Sequence, residues 1–194
     1  MSPRPLLPIP PLPKPGQQRA YWRAPSSASA LALGLVEAAR AHNGPVLAVA
    51  RDTHTAQSLE NDLRVLADDL PILHFPDWET LPYDLFSPHP DIVSQRVAAL
   101  YRLPTVRRGV LVVPVSSLMQ RLPPPEWIAG NALDLRRGQK LDMAAEKRRL
   151  ESSGYRNVPQ VLDPGDFAVR GALLDLFPMG SEVPYRIGSS CSMM

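Results

Sequence analysis

Apolar positions along the chain follow one periodic scheme up to a run of prolines near residue 125 and another beyond it. From Ser27, Leu31, Leu35 and Val36 share a helical face behind a serine N-cap, and Asn43-Gly44 ends the helix. Pro45–Ala50 is a short apolar run that reads as a buried strand. Asp52 or Thr53 caps a second helix with Leu59, Leu63 and Leu66 at i, i+4 and i+7, and Pro71 precedes a second strand at Ile72–Phe75. A third helix starts at Asp91 or its neighbour, turns Val93, Val97, Leu100 and Leu103 inward, and stops at Pro104. Gly109–Val115 is then a third β-rich strand. Helices alternating with short apolar strands predict an α/β fold built on a parallel sheet.

Between the second strand and third helix lies Pro76–Asp91, rich in proline, aromatics and acids, and too irregular for either period: a long structured loop. Pro123-Pro124-Pro125 continues neither helix nor strand and marks a domain boundary. After it the pattern becomes that of a small α+β module. Ala132–Leu135 reads as a strand, and Asp142 caps a helix that runs to Ser153. Phe167–Val169 and Ala172–Phe177 are strand-like runs among Asp163-Pro164-Gly165 and Pro178-Met179-Gly180 turns. Arg170 and Arg186 sit at the ends of strand-like stretches, placed to face outward as a basic pair. Guanidinium groups offer donors and no proton acceptor near neutral pH, so such a face suits an acidic partner better than catalysis.

Composition changes this picture little. The chain has 194 residues, 44% of them hydrophobic, enough for one ordinary domain and part of another. With 21 basic and 19 acidic residues the net charge is only +2, so any basic site has to be local rather than a global field. A single cysteine, Cys191, excludes an internal disulfide framework and fits a reducing, cytoplasmic setting. No apolar run reaches the ~20 residues needed to span a bilayer. Residues 1–19 carry repeated prolines and read as an extended, disordered leader. The remaining divisions are an α/β domain at 20–125, an α+β domain at 126–187, and a short polar tail at 188–194.

A phosphate-binding loop would need glycine-freed backbone N–H groups and a lysine before the first helix. Ala24-Pro25-Ser26-Ser27-Ala28-Ser29 supplies neither, and the third strand runs into Val115-Ser116-Ser117 where an ATPase holds a magnesium-binding acidic pair. The sequence therefore predicts no nucleotide hydrolysis, no cofactor and no catalytic residue in this chain. His74, Asp77, Glu79, Asp84, His89 and Asp91 crowd the long loop but match no metal-ligand spacing. They read as capping and surface groups around an aromatic plug of Trp78, Pro82, Tyr83 and Phe86. Ser116 and Ser117 read as caps of the following turn. Lys147-Arg148-Arg149 and Arg107-Arg108 read as solvated faces.

Three long segments carry a family resemblance. HFPDWETLPYDLFSPHPDIVSQRVAALYRLP, GVLVVPVSSLMQRLPP and GYRNVPQVLDPGDFAVRGALLDLFPMGSEVPYR, in this order, resemble the N-terminal module of the bacterial transcription-repair coupling factors. The second domain also resembles its counterpart in the excision repair protein UvrB, through Tyr155 to Asn157, Gly165 to Gly171 and Phe177-Pro178. The resemblance implies a helicase-like first domain with a degenerate nucleotide-binding loop, and a second domain on which the damage-recognition protein UvrA docks. The family's docking arginines fall on Arg170 and Arg186. In full-length members it implies a C-terminal translocase that uses ATP and magnesium, with RNA polymerase and double-stranded DNA as further partners. An aromatic contact expected after Arg186 has no counterpart, since the chain turns into GSSCSMM, so it reads as a truncated module. Two other functions are open to the same residues. One is a UvrB-type, ATP-dependent helicase lobe; the other is nonspecific DNA binding, which would show steep salt dependence.

Overall fold

The computed structural model describes residues 10–14, 16–23, 27–81, 84–130, 138–139 and 141–188. The strand expected at Ala132–Leu135, the tail with Cys191, residues Ala24 to Ser26, and Pro82 and Tyr83 of the expected aromatic plug lie outside them. The chain folds as two compact units: residues up to Asp77 with Arg102–Arg121, and Trp78–Tyr101 with Leu122 onward.

In the first unit, helix α1 (Ala28–Ala41) is capped by Ser27, whose Oγ accepts the Ala30 N–H at 3.2 Å. Strand β1 (Pro45–Ala50) follows, and α2 (Thr53–Leu66) starts from Asp52, whose Oδ1 accepts the Thr55 N–H at 2.7 Å. Strands β2 (Ile72–His74) and β3 (Gly109–Pro114) complete a parallel sheet of order β1-β3-β2. Central β3 has Val110, Val112 and Val113 all buried, as an unbroken apolar run on a strand covered from both sides requires. Leu35, Val36, Leu59, Leu63 and Ile72 close the core with Val110 and Val112. Each such side chain contributes about 1.5–3 kcal/mol when fully withdrawn from water. Strand β1 departs from expectation: it is an edge strand, and Leu47 and Val49 are exposed on the face opposite buried Ala48 and Ala50. The described part of the leader forms no helix or strand, and its Pro11 carbonyl accepts the Trp22 indole N–H at 3.0 Å.

The second unit contains α3 (Pro90–Arg102), the short α5 (Pro125–Gly130) and α6 (Met143–Ser152); a one-turn α4 (Val115–Leu118) belongs to the first unit. The inward face of α3 is not the predicted Val93, Val97 and Leu100, which are only half-buried. Ser94, Arg96 and Ala99 are the buried positions, and the Arg96 guanidinium lies 4.0 Å from the Trp78 ring centroid. An arginine is buried here because a flat cation can stack on an indole face, an option that hydrophobic periodicity does not register. Four strands, β4 (Arg156–Asn157), β5 (Asp166–Arg170), β6 (Leu173–Leu176) and β7 (Tyr185–Gly188), form a sheet in sequence order. Phe167, Leu174 and Leu176 are almost fully buried and pack with Leu150 of α6. Asp142 caps α6 through the Ala144 and Ala145 N–H groups, as its position predicts.

Candidate functional site

Period-two alternation decides which side chains the small sheet shows. Strand β5 sends Phe167 and Val169 to the core and β6 sends Leu174 and Leu176, so Ala168, Arg170 and Asp175 share the other face. The two-residue link Gly171-Ala172 closes the β5–β6 hairpin and puts Arg170 opposite Leu173 and Ala168 opposite Asp175. Gly171 has φ +61, a left-handed conformation that L side chains resist. The antiparallel register of β6 with β7 then sets Asp175 directly across from Arg186, while Ile187 turns inward.

Arg170 and Arg186, assigned from sequence as a pair, therefore line one open groove of about 630 Å³. Its other wall is the Pro159–Val161 segment, with Pro184 and Tyr185 beside Arg186. Arg170 is exposed, and its Nη2 donates to the Pro159 carbonyl oxygen, tying that segment to the end of β5. Arg186 lies two-thirds exposed and donates from Nε to Asp175 Oδ1 at 2.6 Å and from Nη2 to Oδ2 at 3.0 Å. That hydrogen bond holds the Asp175 carboxyl below the usual carboxylate range against desolvation, with the charges of Arg186 and Arg170 adding to it. The same bond raises Arg186. Among the described residues the polar groups of the groove lining are two guanidinium groups, the Asp175 carboxylate, the Gln160 amide and the Tyr185 hydroxyl.

Asp175 and the Pro159–Val161 wall are absent from the sequence-based site. A signal existed for Asp175: the one acid in an apolar LLDL strand must face away from the core, and a two-residue turn fixes its register. Nothing comparable marked the wall, which reaches the groove only through the tertiary fold.

Elsewhere the candidate polar groups are engaged locally. His74 Nδ1 lies 2.6 Å from Glu60 Oε2, with both side chains buried, and Arg64 holds the other Glu60 oxygen at 2.8 Å. Asp84 accepts the Leu81 N–H at 2.7 Å, and His89 sits 3.4 Å from Asp91. Among the described residues no group of histidines, cysteines and acids is arranged to hold a metal. The aromatic plug differs from expectation: Trp78 is covered by Arg96 while Phe86 is exposed. The serines also differ. Ser116 Oγ donates to Asp77 and Ser117 Oγ to the Pro76 carbonyl at 3.2 Å, so they anchor the preceding loop and cap nothing. A hydroxyl beside a loop carbonyl and a carboxylate finds a stronger acceptor there than in its own turn. Among the described residues no helix is long and apolar enough to cross a membrane.

The small sheet thus buries one face and carries both arginines on the groove side. Residues 133–190 match the UvrB interaction domain family. Over 90% of its length the chain is 48% identical to the Transcription-repair-coupling factor of Escherichia coli (strain K12), of which it covers 15%. Over 80% it is 46% identical to that of Haemophilus influenzae (strain ATCC 51907 / DSM 11121 / KW20 / Rd), and over 75% it is 28% identical to that of Bacillus subtilis (strain 168), covering 14% and 12% of these relatives. Over most of its length the chain thus corresponds to a segment of the transcription-repair-coupling factors, and its residues 133–190 match the UvrB interaction domain. It spans less than one sixth of the length of these relatives.

Proposed function

We propose that this chain is an adaptor that recruits UvrA in transcription-coupled nucleotide excision repair, with Arg170 and Arg186 as its docking residues. The observation that carries the reading is their convergence on one groove within the region matching the UvrB interaction domain. Two guanidinium groups on a rigid sheet favour carboxylates, which accept charge-assisted, bidentate hydrogen bonds. In this reading the chain binds and does not catalyse, and its setting is the cytoplasm. RNA polymerase, double-stranded DNA, and ATP- and magnesium-dependent translocation are work for other regions of the longer family members.

The first unit is, on the same reading, a helicase-like lobe whose nucleotide loop has degenerated. Its residues do not fit a nucleoside triphosphate. The Ser27 hydroxyl that precedes α1 is spent on the Ala30 N–H, no lysine lies nearby in sequence, and at the end of β3 Ser116 is bound to Asp77. Supporting a lobe of this type are a parallel sheet of order β1-β3-β2 and the helix that leads into its first strand.

Calorimetric titration of the chain with purified UvrA, in the absence of ATP, tests the adaptor reading. Arg170→Ala and Arg186→Ala are each expected to weaken binding about tenfold or more. Wild-type affinity in both variants would overturn the assignment of these residues.

A further inference from the structure

Arg186 uses only part of its guanidinium within the fold. The contact to Asp175 runs through Nε and Nη2, the side edge of the group. Among the described residues Nη1 has no partner, so the end edge formed by Nη1 and Nη2 is open on the groove side of the sheet. A guanidinium has five N–H donors in one plane and can therefore hold two carboxylates at once, one on each edge. Arginine also carries several rotatable bonds whose freedom is lost when a partner binds, at a cost that falls if the side chain is already held.

We infer that Asp175 is a positioning residue for docking: it grips the side edge of Arg186 so that the end edge is presented, in plane, to a carboxylate of an acidic partner segment. This inference rests on the adaptor reading above. The register supports it, since Asp175 stands directly opposite Arg186 on β6 and is the less exposed of the two, 16% against 66%. The holding group is thus the fixed member of the pair and the presented group the accessible one. Arg170, on the same face beyond Ala168, adds a second cation to the groove, and its tie to Pro159 keeps the opposite wall in place. The three charges sum to one positive charge, which limits nonspecific attraction to polyanions while leaving a directed fork for one carboxylate.

The alternative role for Asp175 is competition, in which it occupies the position a partner carboxylate needs. The two roles predict opposite signs. Removing a negative charge from a face that binds an acidic partner strengthens binding if Asp175 competes, and weakens it if Asp175 positions Arg186. We expect Asp175→Asn to weaken UvrA binding about 3- to 10-fold, and to have no further effect in an Arg186→Ala background, because it acts through that side chain. Asp175→Glu should recover part of the loss. Arg186→Lys should bind as weakly as Arg186→Ala, because an ammonium has no second edge. In the free chain, the Arg186 Nε–H resonance should exchange slowly with water in the wild type and quickly in Asp175→Asn, a readout that global stability does not reproduce.

Binding by Asp175→Asn at or above wild-type affinity, with Arg186→Ala still weak, would overturn this inference and leave the adaptor reading standing. Undiminished binding by Arg186→Ala would remove this inference and the docking role of Arg186, and only the same result for Arg170→Ala would remove the assignment of both arginines. If Asp175→Asn fails to fold, Asp175→Glu and the wild-type exchange rate decide the matter: a fast-exchanging Nε–H in the wild type sinks the proposal.

Discussion

Two carboxylates in this chain meet a basic side chain at the same 2.6 Å, and they differ in what surrounds them. Glu60 and His74 join α2 to β2 with both side chains only 8% exposed, whereas Asp175 and Arg186 bridge β6 and β7 with the arginine largely in water. A buried pair has given up its hydration and cannot readily exchange partners, so its loss is felt as stability. An exposed pair contributes little to stability because solvent screens it, yet it can meet an incoming group without a large desolvation cost. Contact distance thus says nothing about role; burial separates the structural pair from the one available for recognition.

Substitutions at the two pairs separate these roles. The largest expected effect is Glu60→Ala, which leaves His74 buried with Nδ1 unmatched, while its Nε2 already lacks a partner among the described residues. We expect a loss of about 2–3 kcal/mol in unfolding free energy by denaturant titration, below the full cost of breaking a buried pair because the Arg64 side stays half in water. UvrA affinity measured well below the unfolding midpoint should stay unchanged. A stability change under about 0.5 kcal/mol would place the Glu60 pair with the surface pairs and remove the contrast.

Next in size is Gly171→Ala. The residue sits at φ +61 in open space, so an added Cβ meets no neighbour and the penalty is conformational alone, about 1 kcal/mol. Because Gly171 closes the hairpin that sets Ala168 opposite Asp175 and keeps Arg170 on the same face, UvrA binding should weaken as well, and by more than an equally destabilising change in the first unit. Equal binding losses from the two would show that docking follows overall stability and not the β5–β6 register.

Much of the fold was legible because its elements obey local rules. Ser27, Asp52 and Asp142 cap their helices as their side chains require, and the apolar runs at Pro45–Ala50, Ile72–His74 and Gly109–Pro114 are the parallel strands. The failures have tertiary causes. Leu47 and Val49 are exposed because one face of β1 is left uncovered, a property of the tertiary arrangement and not of composition. Helix α3 buries Arg96 because Trp78 provides a stacking face eighteen residues away in sequence. At the site, Arg170 and Arg186 could be singled out by their positions in strand-like runs. Their shared groove depends on the Asp175 register and on the Pro159–Val161 wall, neither of which a basic pair announces.

Acid titration makes the smallest distinction. The hydrogen bonds from His74 and Arg64 hold the Glu60 carboxyl below its ordinary 4.5 although desolvation, the largest single influence, pushes the other way. Arg186 likewise holds Asp175 below 3.8. A carboxyl whose pKa is lower in the folded state binds its proton more weakly there. Its stabilisation is therefore complete above the ordinary value and is lost as pH falls through the folded one. Below pH 4.5 the wild type should thus lose stability more steeply than Glu60→Gln, which has no proton to take up at that position. Asp175→Asn should run parallel to the wild type in the same experiment, since an exposed pair transmits little of its titration to folding. If the Asp175→Asn curve flattens as much as that of Glu60→Gln, the exposed pair is supporting the second unit and its assignment to recognition loses its physical basis.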